Sequence, residues 1–392
     1  MKLIQYFVTT TEIEDSNSRS TINVVRLLFF LFFAAFGIFV PYINVYYRAI
    51  GLSGIQIGLI NTLSPLVGIF SGPLWGMISD RFGISRRILM ATLTGVILAV
   101  IGISAVRVFI WILPLAAAYS LFNNAFMPLL DSIGLHFLGK YRQQYGRLRI
   151  WGSIGFIIST SIIGYILEQR GLHSLFYGYT VLMLLVLVVL IWLPAVKPRI
   201  STSVWRGLSK LICNPTWLVF SASLVLLGLA NSGMYIFLGI YITELGGNEV
   251  LIGTAMSLGA ITELPFMLFS APLIMRFGSH RTLALAYFFY AVRLFLYGIM
   301  PSAWWVLPIS LLHGITFGIY WVSAVSYAND LAPENLKATA QGMLVATLNL
   351  AAVLGGVVSG LLYDHFGLAF LFRLYSGLTI VALVLLGVRR RV

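Results

Sequence analysis

Charge is what this chain has least of. Only 9% of its 392 residues are Asp, Glu, Lys or Arg, while 59% are hydrophobic. A soluble domain carries about 25% charge, so an ordinary soluble fold is excluded. Cysteine is nearly absent too. Cys213 stands alone, which rules out an internal disulfide and any cysteine-built zinc or iron–sulfur framework. No Gly-x-x-x-x-Gly-Lys-Ser/Thr run occurs, so no phosphate loop for ATP hydrolysis is expected. His-Glu-x-x-His and Gly-x-Ser-x-Gly are also missing, and no metal or cofactor is expected. His136, His173, His280 and His365 are scattered toward loops and helix ends. That scatter disfavours a membrane-embedded enzyme, which needs converging acids and histidines. A sensor would need a soluble output domain, and none is read here.

What fills the chain is apolar runs of membrane-crossing length, roughly 20 residues each for a core about 30 Å thick. We read twelve spanning helices at about 24–49, 54–79, 88–106, 108–138, 147–168, 172–194, 215–243, 250–275, 282–300, 303–331, 337–363 and 367–388. Residues 1–20 are polar and Ser/Thr-rich, without the basic-then-apolar order of a signal peptide. The first apolar run is therefore expected to remain as helix 1.

The net charge of +13 raises nucleic acid as a partner, but its distribution argues against it. Of the 25 Lys and Arg, 20 lie at the two termini and in the 2–3, 4–5, 6–7, 8–9 and 10–11 connections. The opposite connections are tight and keep only Arg48, Arg107 and Arg170. By the positive-inside rule both termini are cytoplasmic, in a multi-pass protein of the plasma membrane, with a bacterial inner membrane expected. The expected organisation is a cytoplasmic N-terminal segment at 1–23, a six-helix bundle at 24–194, a basic linker at 195–214 and a second bundle at 215–392. Trp205 among the linker's charges suggests a short helix on the membrane surface, or else a disordered basic connection.

Two connections nearly repeat. Residues 80–87 read Asp-Arg-Phe-Gly-Ile-Ser-Arg-Arg and residues 275–281 read Met-Arg-Phe-Gly-Ser-His-Arg, about half the chain apart. Two similar halves in a membrane protein point to a secondary transporter, with its substrate site between them. In the first copy, Gly76 permits close helix approach and Gly83 a tight turn. Asp80 can cap a neighbouring helix or pair with an arginine such as Arg81 or Arg87. Such a latch holds one conformation until substrate shifts the balance. A plain charged turn on the cytoplasmic side is the alternative.

This loop resembles the signature connection of the major facilitator superfamily. The likeness narrows to the cluster holding the lactose permease, nucleoside–proton symporters and phenylpropionate permease-like proteins. Four places carry it: Gly37 to Pro41, Tyr145-Gly-Arg147-Leu-Arg149 with Gly152, Glu263 to Arg293, and Leu312-His313-Gly. The resemblance implies an all-α fold of twelve helices in two pseudo-symmetric six-helix bundles. It also implies alternating access and coupling to a proton gradient.

Ionisable residues within hydrocarbon are expensive and functional by default. Asp131 and Arg149 sit on predicted helices 4 and 5, joined by a short loop, and so can meet. The resemblance matches them to the acid and arginine that hold substrate; a structural ion pair is the alternative. Glu263 is the most deeply placed acid, and burial favours the protonated carboxyl, as a proton-coupling group requires. The resemblance gives Glu263 that role and Arg293 the partner arginine, with His313 as relay or donor. A static Glu263–Arg293 pair is the bland reading.

Phe156 stands where the resembled sugar site has a stacking tryptophan. Asn123 and Trp321 are further cavity candidates, with Tyr42, Tyr46, Asn61, Asn124, Tyr235 and Tyr320. The chain also departs from that site. Thr316 replaces an acid after the helix 10 histidine, helix 7 offers Asn231 and Ser232 instead of acids, and Asn349 is the nearest polar group to a missing lysine. The expected function is secondary transport of a small organic solute (sugar, nucleoside or aromatic acid), most simply as a proton symporter and a monomer. A proton-coupled exporter is the alternative.

Overall fold

The computed structural model describes residues 16–82, 85–194 and 214–388. Residues 1–15, Gly83 and Ile84, the linker 195–213 with Trp205 and Cys213, and the tail 389–392 lie outside it, as do the side chains of Asp80 and Arg81. Among the described residues every regular element is helical. The helices are α1 (Ser16–Ala49), α2 (Gly54–Phe82), α3 (Ser85–Ala105), α4 (Phe109–Leu138), α5 (Tyr145–Arg170) and α6 (Ser174–Leu190). After the linker come α7 (Pro215–Glu244), α8 (Glu249–Phe277) and α9 (Ser279–Gly298). A broken α10 (Ala303–Ser310 and Gly314–Asp330), α11 (Lys337–Phe366) and α12 (Leu368–Val388) complete the set. Nine of the described helices are long and apolar enough to cross a membrane, or ten with the bent α10 counted as one span.

Local chemistry explains several boundaries. Asn214 accepts from the Thr216 and Trp217 amides at 2.9 and 3.4 Å, and Pro215 opens α7, where its missing N–H is harmless. Asn248 caps α8 through the Leu251 amide at 3.0 Å. Gly278 and Gly367, at φ 83° and 76°, end α8 and α11 in the left-handed region that only glycine enters freely. Two expectations need correction. α1 starts at Ser16 rather than near 24. Helix 10 is not one continuous rod: its two segments bend by 46°, and a π-turn covers Gly314–Gly318. The physical reason lies in the Thr262 hydroxyl of α8, which takes the Gly314 amide at 3.1 Å. A Cβ at Gly314 would stand 2.3 Å from the Thr262 carbonyl, so only glycine permits the approach.

The chain forms two compact units, one from Met1–Val40, Phe70–Ile163 and His173–Ile200, the other from Pro41–Ile69, Gly164–Leu172 and Ser201–Val392. Aromatic packing dominates the first. Phe32 of α1 stacks on Phe126 of α4 with centroids 4.3 Å apart, and Phe39 lies against Tyr119 and Tyr179. α1 and α5 touch backbone to backbone at Gly155. The second unit is built on a buried cluster including Trp217, Phe220, Tyr287, Tyr290 and Tyr320, with α7 against α11 and α12, and α9 against α10 and α12.

A Cβ at Gly155 would sit 2.2 Å from the Phe30 carbonyl oxygen. Gly155→Ala is therefore expected to destabilise by about 1–3 kcal/mol, as overpacking of a tight core does. Gly146→Ala, in a helix and meeting nothing within 4 Å, is expected to keep or slightly raise stability. Thermal unfolding of the two purified variants in one detergent compares them; equal midpoints would contradict the packing account.

Candidate functional site

In the second unit, α8, α9 and α10 converge on one buried charge. Arg293 is only 3% exposed. Its Nε and Nη2 donate to the Tyr297 hydroxyl at 3.3 and 3.1 Å, one turn along α9. Its Nη1 donates to Thr316 Oγ1 at 3.0 Å and lies 2.9 Å from His313 Nδ1, both on α10. Guanidinium nitrogens can only donate, so Nδ1 accepts and the ring proton sits on Nε2. That nitrogen lies 3.7 Å from Glu263 Oε2 on α8. The result is a chain, Arg293–His313–Glu263, in which the imidazole carries polarisation between a cation and an acid. No direct Glu263–Arg293 ion pair exists among the described residues; His313 intervenes, which corrects the static-pair reading. Arg293 is sealed away, while the Glu263 side chain keeps 26% exposure and is the accessible end.

The α10 break gives the chain its shape. π-turns concentrate at functional sites because they turn side chains out of helical register. Here the turn follows His313 directly, and His313 stacks on Phe317 at 5.5 Å, which stacks in turn on Trp321 at 6.4 Å. Tyr235 of α7 meets the His313 ring edge-on. Beyond these rings lies a cavity of about 320 Å³ lined by Asn61, Asn231, Ser232, Tyr235, Phe317 and Trp321, among others. None of its lining residues is charged. Asn231 Oδ1 is buried without a hydrogen-bond partner. Asn61 is held by Asn44, its Nδ2 donating to Asn44 Oδ1 at 2.7 Å.

In the first unit, Asp131 Oδ1 accepts from the Tyr145 hydroxyl at 2.6 Å. The Arg149 guanidinium lies over the Phe33 ring, 4.0 Å from its centre, and its charge acts on Asp131. Tyr145 is a partner of Asp131 that the sequence reading did not name. Asn123 Oδ1 is buried without a partner, and Phe156 is half-buried on α5. Of the expected latch, Gly76 lies within α2 and Arg87 is exposed on α3, while Asp80 and Arg81 belong to the last turn of α2. Arg86 donates to the Leu193 carbonyl at 3.3 Å.

Tyr297, Thr262 and Phe317 were missed by the sequence reading. Tyr297 had a signal, a hydroxyl one turn from a membrane-buried arginine, where helix neighbours meet. Gly314-x-x-x-Gly318 had one as well, the small-residue spacing of closely packed membrane helices. Phe317 had none, because an aromatic in an apolar helix reads as packing.

The MFS_1 like family model matches residues 23–374. The chain belongs to this family. It is 32% identical to a maltose permease of Geobacillus stearothermophilus over 93% of each chain. It is 25% identical to a probable 3-phenylpropionic acid transporter of Escherichia coli over 88% of this chain and 91% of that one. Its fold matches the crystal structure of the nucleoside transporter NupG with a TM-score of 0.85, at 18% identity over 94% of this chain and 98% of that one. The protein is a multi-pass membrane transporter of the major facilitator type.

Within this family member, Arg293→Lys tests the buried chain. A lysine keeps the charge but cannot fork to Tyr297, His313 and Thr316 together. The expected outcome is a loss of about 2–4 kcal/mol in stability, from groups left unpaired, together with loss of transport. Thermal unfolding and uptake measure the two; wild-type values in both would show that the charge alone suffices.

Proposed function

We propose that the protein is a proton symporter for a small, neutral, polyhydroxylated solute of the sugar or nucleoside type. The observation that carries this is the uncharged cavity set beside a charged relay. Asn61, Asn231 and Ser232 offer amide and hydroxyl groups suited to hydroxyls or ring nitrogens, and Phe317, Trp321 and Tyr235 offer apolar ring faces. The unpartnered Asn231 oxygen supplies an acceptor for a solute donor. Similarity to a maltose permease supports a sugar in first place.

Asp131, Arg149, Phe156 and Asn123 are proposed as solute contacts from the first half, and Trp321 as the aromatic face from the second. The proton sits on Glu263, the exposed end of the relay. His313, with its Nε2 3.7 Å from Glu263 Oε2, is the group that would stabilise the ionised acid, and Arg293 sets its tautomer. Protonation of Glu263 removes the negative end of the relay, so solute binding at the neighbouring rings and proton binding are energetically linked. Both termini are proposed to be cytoplasmic.

Glu263→Gln tests the assignment in proteoliposomes. The variant is expected to lose proton-driven accumulation of its solute by at least an order of magnitude, while exchange between labelled and unlabelled solute persists. Accumulation at the wild-type level would remove Glu263 from coupling.

A further inference from the structure

The short sequence that ends α2 recurs, with one change, at the end of α11. α2 closes on Asp80-Arg81-Phe82-Gly83, and α11 closes on Asp364-His365-Phe366-Gly367. Within the second unit, the start of α2 runs along the end of α11. Thr62 Oγ1 donates to the Val353 carbonyl at 3.2 Å. A Cβ at Gly58 would stand 2.1 Å from the Gly356 oxygen, and one at Gly360 would stand 2.4 Å from the Gly54 oxygen. As the α2 numbers fall the α11 numbers rise, so the helices are antiparallel and meet backbone to backbone. At the end of this seam the Asp364 carboxylate accepts from two amides at the α2 start, Gly54 N at 2.6 Å and Ile55 N at 2.9 Å.

Those amides open a helix and have no partner within it, and they form its positive end. Ser53 and Gln56 form a local capping box, the Ser53 hydroxyl taking the Gln56 amide and the Ser53 amide donating to Gln56 Oε1, which leaves the Gly54 and Ile55 amides to Asp364. An acid more than 300 residues away therefore completes the α2 N-terminus. Its neighbourhood ties the end of α11 to two further helices. Arg48, in the last turn of α1, lies over the Tyr363 ring at 5.1 Å, and the Tyr363 hydroxyl donates to Glu244 at the end of α7. The glycine contact brings the backbones together but contributes no directional bond. Asp364 supplies that bond.

We propose that Asp364 is the latch that keeps the α2–α11 seam shut on the face opposite the basic loops. This rests on the alternating-access reading, in which the seam must part once per cycle. In the sequence Asp80 stands at the same place in the last turn of α2 as Asp364 does in the last turn of α11. Opening one face then breaks Asp364 from α2 and leaves both amides to water, a state that the carboxylate disfavours for as long as it is in place.

The test reads accessibility rather than transport. Ala352→Cys, on the cavity lining, is placed in a Cys213→Ser background and labelled with a membrane-impermeant maleimide from the face opposite the basic loops. Loss of a helix cap corresponds to roughly a fivefold shift in a two-state balance. Asp364→Ala is accordingly expected to raise the labelling rate roughly fivefold. Asp364→Asn keeps the volume and one acceptor and is expected to fall between the parent and Asp364→Ala. It also decides the matter if the alanine variant does not insert. A labelling rate equal to the parent's, in whichever variant reaches the membrane, overturns the proposal. The readout needs neither solute nor proton gradient. A failed coupling assay therefore leaves it standing, and its own failure leaves the Glu263 relay untouched.

Discussion

A guanidinium held out of water is the constraint on which the second unit depends. Moving an unpaired cation into an apolar interior costs several kcal/mol even after relaxation. Arg293 is nearly sealed, and the groups around it read as the answer to that cost. Tyr297 gives one oxygen to two nitrogens, Thr316 gives a hydroxyl, and His313 gives its Nδ1 lone pair. None is a carboxylate, so the compensating negative charge lies one imidazole away on Glu263. Directly after His313, where the Gly314 amide meets Thr262 of α8, α10 leaves regular helix and makes a π-turn. The histidine tautomer thus follows from a single buried charge, and the break in α10 from the Gly314 contact with Thr262 beside it.

The same arrangement separates two tasks. The relay is ionic and largely sealed; the cavity beside it is neutral, with amides, hydroxyls and ring faces. His313 belongs to both, since its ring edge and nitrogens serve the relay while its face begins the His313–Phe317–Trp321 stack. In the proposed function, a solute on that stack acts on the imidazole that lies beside Glu263. Coupling of this kind needs no long pathway, because one side chain is shared by the two sites. The α2–α11 seam adds the mechanical part, a glycine contact closed by one carboxylate.

Much of this was legible in the sequence, for a physical reason. In a chain with so little charge, an acid or base inside an apolar run stands out, and Glu263, Arg293 and His313 were found that way. The helices were legible because apolar length is the requirement a bilayer imposes. What could not be read was which partner each charge takes. Glu263 and Arg293 suggested a direct pair, but lateral packing of α8, α9 and α10 put His313 between them. Asp131 suggested Arg149, and its Oδ1 also takes the Tyr145 hydroxyl at the start of α5. Asp364 was invisible for the opposite reason. An exposed acid at a helix end looks like an ordinary turn, and its partner amides lie more than 300 residues earlier. Hydropathy sees none of these choices, which depend on how helices rotate against one another.

The most direct test of the account is the external pH of lightly buffered, de-energised cells making the protein, followed as sugars, nucleosides and aromatic acids are added in turn. The account predicts alkalinisation on addition of a neutral sugar or nucleoside, absent from cells that lack the protein. Uptake of such a solute with no accompanying pH change would contradict proton coupling through Glu263.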